Sequence, residues 1–161
     1  MAVTKDDPTL RPSSVPWPPI LLAAAVLGAW ALGEIVPVAW PGVDDWPAHA
    51  VGLSFGLAGF ALTVWAGITL SRAKTTILPN QGASHLVTGG PFAWRRNPIY
   101  LGDMMMLFGV AELTHNIWFA AAAIGFVGLV TWLAIIPEER HLEAKFGDAW
   151  RDYAGSTRRL L

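Results

Sequence analysis

Cysteine is absent from this 161-residue sequence, which removes disulfides, thiolate metal sites and a cysteine nucleophile from consideration. Charge is scarce as well. Only 14% of residues are Asp, Glu, Lys or Arg and the net charge is −1, so the chain has neither the basic field that draws nucleic acid nor an acidic tail. Histidine occurs at 49, 85, 115 and 141, without ligand-like spacing, so no metal site of zinc or haem type is expected. Apolar residues fill the space left by these absences. They make up 53% of the chain, with a mean hydropathy of +0.43, which reads as a membrane protein.

Four apolar segments stand out: Ile20 to Val36, His49 to Leu70, Ile99 to Leu113 and Ile117 to Ile136. As helices the first, second and fourth reach about 26, 33 and 30 Å, enough to cross a hydrocarbon core. The third is short and carries Asp103, so it is expected to lie against its neighbours rather than face lipid. Ala31-Leu32-Gly33 loosely fits a leader-cleavage site. A leader this long and proline-rich is unusual, and the first segment is read as a span.

Basic residues set the orientation. Lys5 and Arg11 lie in the N-terminal arm, Arg72, Lys74, Arg95 and Arg96 between the second and third segments, and Arg140, Lys145, Arg151, Arg158 and Arg159 in the tail. The other two connections have none. This alternation places both termini in the cytoplasm, and Trp17, Trp40, Trp46 and Trp118 fall near the expected interfaces. The expected fold is all-α and polytopic, with about four transmembrane helices and a C-terminal amphipathic cytoplasmic helix. Its parts are a Pro-rich arm over residues 1–19, a helical bundle over 20–136 that includes a cytoplasmic loop at 71–98, and a tail over 137–161.

Within that frame Gly52, Gly56 and Gly59 share one face of the second helix and permit close packing. Asp44 and Asp45 read as solvated charges of an outer loop. In the tail, Leu142, Phe146, Ala149, Trp150 and Tyr153 recur at near-helical spacing.

The longest polar connection ends in GGPFAWRRNPIY, residues 89–100. A connection of this length in so compact a chain suggests function. Gly89-Gly90-Pro91 allows a sharp turn and close backbone approach, while Asn97 and Pro98 make an ordinary helix start as N-cap and first residue. On that helix Tyr100, Asp103 and Leu107 share one stripe. A carboxylate at membrane depth costs about 2.5–3.5 kcal/mol unless partnered, so Asp103 either pairs with Arg72 or Arg96 or lines a ligand site. Glu138 and Glu139 follow Pro137; they could complement a helix dipole, or meet a cation or a ribose diol. Arg158 and Arg159 read as contacts to lipid headgroups.

LVTGGPFAWRRNPIYLGD, followed about 40 residues later by PEERHLEAKFGDAWRDYAGSTRR, resembles the superfamily of isoprenylcysteine carboxyl methyltransferases and phospholipid N-methyltransferases, which are integral membrane enzymes. The resemblance covers residues 74–159. It implies a cytoplasmic S-adenosyl-L-methionine site with Gly89, Gly90, Pro91, Arg96, Asn97, Pro98 and Tyr100 on one wall and Glu138 and Glu139 on the other. Tyr100, Asp103 and Arg96 become the catalytic candidates, the first two facing a lipidic or other hydrophobic acceptor that enters from the bilayer. Asn97 stands where the isoprenylcysteine enzymes commonly carry His, and Trp150 replaces a tail tyrosine. Asn cannot titrate as His does, which weakens the case for an imidazole base and for an isoprenylcysteine substrate. Two other classes compete: an ion-coupled transporter using Asp103, Glu34 or Glu112, and a structural membrane subunit. The expected partners are membrane lipids, with no nucleic acid. A homo-oligomer that completes the acceptor pocket is compatible with so short a chain.

Overall fold

The computed structural model describes residues 15–75 and 85–160, and the Pro-rich arm up to residue 14 lies outside them. Four long helical rods form the bundle. They are α1 (Trp17–Ile35), α2 (Trp46–Arg72), α3 (Pro98–Thr114) and a fourth that begins as α4 (Ile117–Val130). That fourth rod passes through a π-helical turn at Thr131–Ile135 and continues as α5 (Ile136–Phe146). After a break at Gly147, α6 (Asp148–Ser156) follows.

Local chemistry accounts for the helix ends. Pro18 and Pro19 fall in the first turn of α1, where the missing N–H is no loss, so the helix starts within the proline-rich stretch at Trp17. Asp45 is not merely solvated: its carboxylate accepts from the Ala48 N–H at 2.9 Å and caps α2. His115 takes a left-handed conformation (φ +50°) that ends α3, and the Asn116 side chain then caps α4 at the Trp118 N–H, 3.0 Å away.

α1, α2 and the α4–α5 rod are long and apolar enough to cross a membrane. α3, at 17 residues about 25 Å long, is sandwiched between α2 and α4 and carries the buried carboxylate Asp103. The protein is thus a polytopic α-helical membrane protein. Its core runs through Leu107, Ala111, Phe119, Ala123, Phe126, Val130 and Ile135, while Leu27, Trp30, Leu57, Ile124 and Trp132 point outward, as lipid-facing residues do.

The glycine face of α2 meets glycines on α3. A Cβ added at Gly109 would lie 2.7 Å from the Gly56 Cα, and one at Gly59 would lie 2.6 Å from the Gly102 carbonyl oxygen. The two backbones therefore touch directly, and Thr63 lies in the same seam. Asp103 is buried there. Among the described residues it pairs with neither Arg72 nor Arg96, and the Thr63 hydroxyl beside it donates to the Ile99 carbonyl at 3.3 Å.

The tail departs from expectation as well. The last span does not stop at Pro137; the wider π turn just before it relieves the clash that a proline ring makes with the preceding α-turn, and the rod continues to Phe146. Glu138 and Glu139 therefore sit inside a helix, and dipole complementation does not account for them. The tail is two helices rather than one, because Gly147 adopts a positive φ (+56°) between α5 and α6. At the other end of the bundle His49 and His115, far apart in sequence, come into ring contact with centroids 5.0 Å apart.

Candidate functional site

Just before α3 begins, the turn that leads into it packs on the end of α2. Gly90 (φ +62°) packs so closely on α2 that a Cβ there would sit 3.2 Å from the Thr69 hydroxyl. Pro91 and Phe92 follow in a short 3-10 turn, Gly90–Ala93, and are both buried, and the Trp94 ring meets Trp65 edge-on at 6.1 Å. Gly89 and Gly90 are exposed and shape the turn; neither glycine nor Pro91 lines the cavity described next.

The residues that follow hold the tail. The Arg96 N–H donates to the Arg158 carbonyl at 2.9 Å, the Arg95 Nε to the Leu160 carbonyl at 3.1 Å and the Asn97 amide to the Arg159 carbonyl at 3.2 Å. Asn97 thus occupies the N-cap position of α3 but spends its side chain on the tail, not on capping. The Arg96 guanidinium donates to the carbonyls of Ala154 and Thr157, reaches Glu139 at 3.3 Å and lies 5.9 Å from the centre of the Trp150 ring. Glu139 is held on its other side by Arg159 at 2.6 Å, so Arg159 closes a clamp instead of facing headgroups. Arg96, a candidate for the chemistry, is mostly occupied in binding α6 down.

Tyr153 completes the closure. Its hydroxyl donates to the Phe92 carbonyl at 2.7 Å, and burial pushes the phenol up to about 12, so it stays a donor at neutral pH. Tyr153→Phe leaves that buried carbonyl unpaired. It is expected to cost about 1–3 kcal/mol, read as a lower unfolding temperature of the detergent-solubilised protein.

Between these elements lies a cavity of about 80 Å³ that opens into a wider mouth. Arg96, Asn97, Pro98, Tyr100, Glu138 and Glu139 all border it, so six of the residues singled out in the sequence are brought together from two distant segments. Asp103 is not among them; it lies one turn further along α3, in the seam against α2. The sequence reading missed the apolar wall: Leu86, Val87, Phe92, Ile135 and Leu142, with Trp150 and Tyr153 from α6. Trp150 and Tyr153 carried a signal, being the aromatic pair of an amphipathic stretch, and their rings meet at 5.7 Å.

The two adjacent carboxylates differ in their surroundings. Glu139 is engaged by Arg96 and Arg159, whereas Glu138 has no hydrogen bond or ion pair among the described residues and borders the cavity. An open carboxylate beside aromatic and aliphatic walls suits a ligand that has both a flat apolar part and hydroxyl or cationic groups. A second, outward-facing groove, bordered by Leu62, Trp94 and Leu101, shares Pro98 with the cavity.

The chain is 29% identical over 119 residues to the nickel-cobalt-cadmium resistance protein NccN of Alcaligenes xylosoxydans xylosoxydans, a match covering 71% of this chain and 51% of that protein. The chain thus spans about half the length of the curated relative it matches. No solved structure matches it. The family model described as phospholipid methyltransferase matches residues 47–149, from the start of α2 to α6, and the chain belongs to that family.

Proposed function

We propose that the protein is an integral membrane methyltransferase that moves a methyl group from S-adenosyl-L-methionine to a lipidic or other hydrophobic acceptor. The observation that carries this reading is the meeting, in one cavity, of the Arg96–Tyr100 segment with Glu138 and Glu139. The distribution of Lys and Arg puts that cavity on the cytoplasmic side, where a soluble cofactor is available.

The cavity's mixed polar and apolar lining suits the cofactor. Glu138 is the side chain able to take its ribose hydroxyls or a cationic group, and Trp150 and Phe92 offer flat apolar surface for its base. When bound, S-adenosyl-L-methionine supplies a methyl carbon whose bond to sulfur breaks as the bond to the acceptor forms, leaving a neutral thioether. The protein then has to align and desolvate, without a covalent nucleophile of its own. The closure of α6 by Arg96 and Tyr153 excludes water from above. Tyr100, buried at the floor and bordering the cavity, is placed to orient an acceptor. The groove beside Leu62, Trp94 and Leu101 gives that acceptor a lateral way in from the bilayer, with Pro98 between the two compartments. Asp103 keeps a supporting place behind this wall, in the seam between α2 and α3.

Equilibrium binding of S-adenosyl-L-methionine to the purified protein tests the reading. Glu138→Gln removes the open carboxylate but leaves the Glu139 clamp, so binding is expected to weaken about tenfold to a hundredfold, the worth of one charge-assisted hydrogen bond. Unchanged affinity in a folded Glu138→Gln protein would take Glu138 out of the site. Absence of binding by the wild type in lipid-supplemented detergent would sink the reading altogether.

A further inference from the structure

We propose that Asp44, His49 and His115 form a binding site for a divalent transition-metal ion at the end of the bundle opposite the cavity. Each offers one ligand atom, and the three atoms lie within 4.8 Å of one another. They come from three elements: the connection before α2, the first turn of α2 and the C-cap of α3.

Both imidazoles are arranged as ligands require. The His49 Nδ1 lies 2.8 Å from the Asp45 carbonyl oxygen, which can only accept, so Nδ1 carries the proton and Nε2 the lone pair. Metal-binding histidines are commonly fixed by such a second contact. His115 is held by the left-handed end of α3 and stacks on Trp40, with ring centroids 5.7 Å apart and planes at 21°. Its Nε2 is buried and has no hydrogen-bond partner among the described residues, yet lies 3.8 Å from the Asp44 carboxylate. That is too long for a hydrogen bond. It is within a few tenths of an ångström of the roughly 3.4 Å that separates two ligands about 2.1 Å from one tetrahedral ion.

A further carboxylate stands nearby. Glu112, in the last turn of α3, has a buried Oε1 with no hydrogen-bond partner among the described residues, and its side chain packs where α2 passes Gly52, one turn beyond His49. Two imidazoles and a carboxylate suit first-row divalent ions, such as zinc, nickel or cobalt, and not magnesium or calcium, which take all-oxygen shells. The bound ion would tie the start of α2 to the end of α3.

The test uses the full chain in detergent, with any affinity tag removed and metal stripped by chelation. It is titrated with Co²⁺ by visible absorption and with Zn²⁺ by calorimetry, and unfolding temperature is followed alongside. One ion per chain is expected, with cobalt bands displaced by zinc and a higher unfolding temperature. His49→Gln and His115→Asn, the latter chosen because Asn tolerates positive φ, are each expected to weaken binding at least tenfold. His85→Gln/His141→Gln should leave it intact. Sub-stoichiometric binding by the wild type, or undiminished affinity in the folded His49→Gln/His115→Asn protein, overturns the proposal. Neither result bears on the cofactor cavity, which is at the far end of α2 and α3.

Discussion

Replacing Arg96 with alanine is expected to lower the affinity for S-adenosyl-L-methionine at least a hundredfold while leaving the membrane bundle folded. The guanidinium supplies hydrogen bonds to the carbonyls of Ala154 and Thr157 and an ion pair to Glu139, besides covering Trp150. Hydrogen bonds to a charged group contribute about 1.5–3 kcal/mol each. α6 has only nine residues, and isolated helices below about 12 residues are marginal in water. Without Arg96 the tail should release, taking Trp150 and Tyr153 away from the cavity wall. Arg96→Lys should recover little, because an ammonium cannot reproduce the planar fork that reaches several acceptors at once. Circular dichroism should show a loss no larger than the share of α6, and binding is read by calorimetry. An affinity within threefold of the wild type would mean that the clamp is dispensable.

The other large effect falls on the bundle. Gly109→Leu is expected to abolish the folded, monodisperse protein, because the new Cβ would meet the Gly56 Cα and the Gly52 carbonyl, and main chain has no rotamer to move aside. Overpacking that side chains can absorb costs about 1–3 kcal/mol; here the whole α2–α3 seam has to separate. Gly125→Leu on α4 is the control. Nothing lies within 4 Å of its Cβ, and its unfolding temperature should match the wild type. Size-exclusion chromatography and thermal unfolding of both variants decide the matter. A well-behaved Gly109→Leu protein would show that α2 and α3 can pack at a distance.

Much of this was legible in the residues themselves. Apolar length marked three spans, and the carboxylate in the short Ile99–Leu113 stretch marked α3 as the one wrapped by its neighbours. The Arg96–Tyr100 segment and the Glu138–Glu139 pair were joined as two walls of one site by the family resemblance, because Asn97 and Pro98 by themselves read as an ordinary helix start. What could not be read was set by contacts across the chain. Only the packed structure shows that Glu139 is consumed by two arginines while Glu138 is left open, since adjacent identical residues give no local hint. The π turn before Pro137 has no sequence signature, so the tail read as a separate helix. Gly89, Gly90 and Pro91 read as a turn, but a turn motif does not reveal that Gly90 packs against Thr69 of α2. The histidines are the same problem at longer range: residues 49 and 115 meet because α2 and α3 are antiparallel, which spacing along the chain does not express.

The fourth rod has a mechanical implication. Ile117–Phe146 is 30 residues without a break, about 45 Å of helix, against a hydrocarbon core of about 30 Å. It therefore emerges from the bilayer as a lever, and Glu138, Glu139 and Leu142 ride on the emerging part. Such a helix answers a thinner or thicker membrane by tilting. A tilt would swing the Glu138 wall against the α3 wall that carries Asn97 and Tyr100, so the thickness of the surrounding lipid becomes an input to the aperture of the cavity.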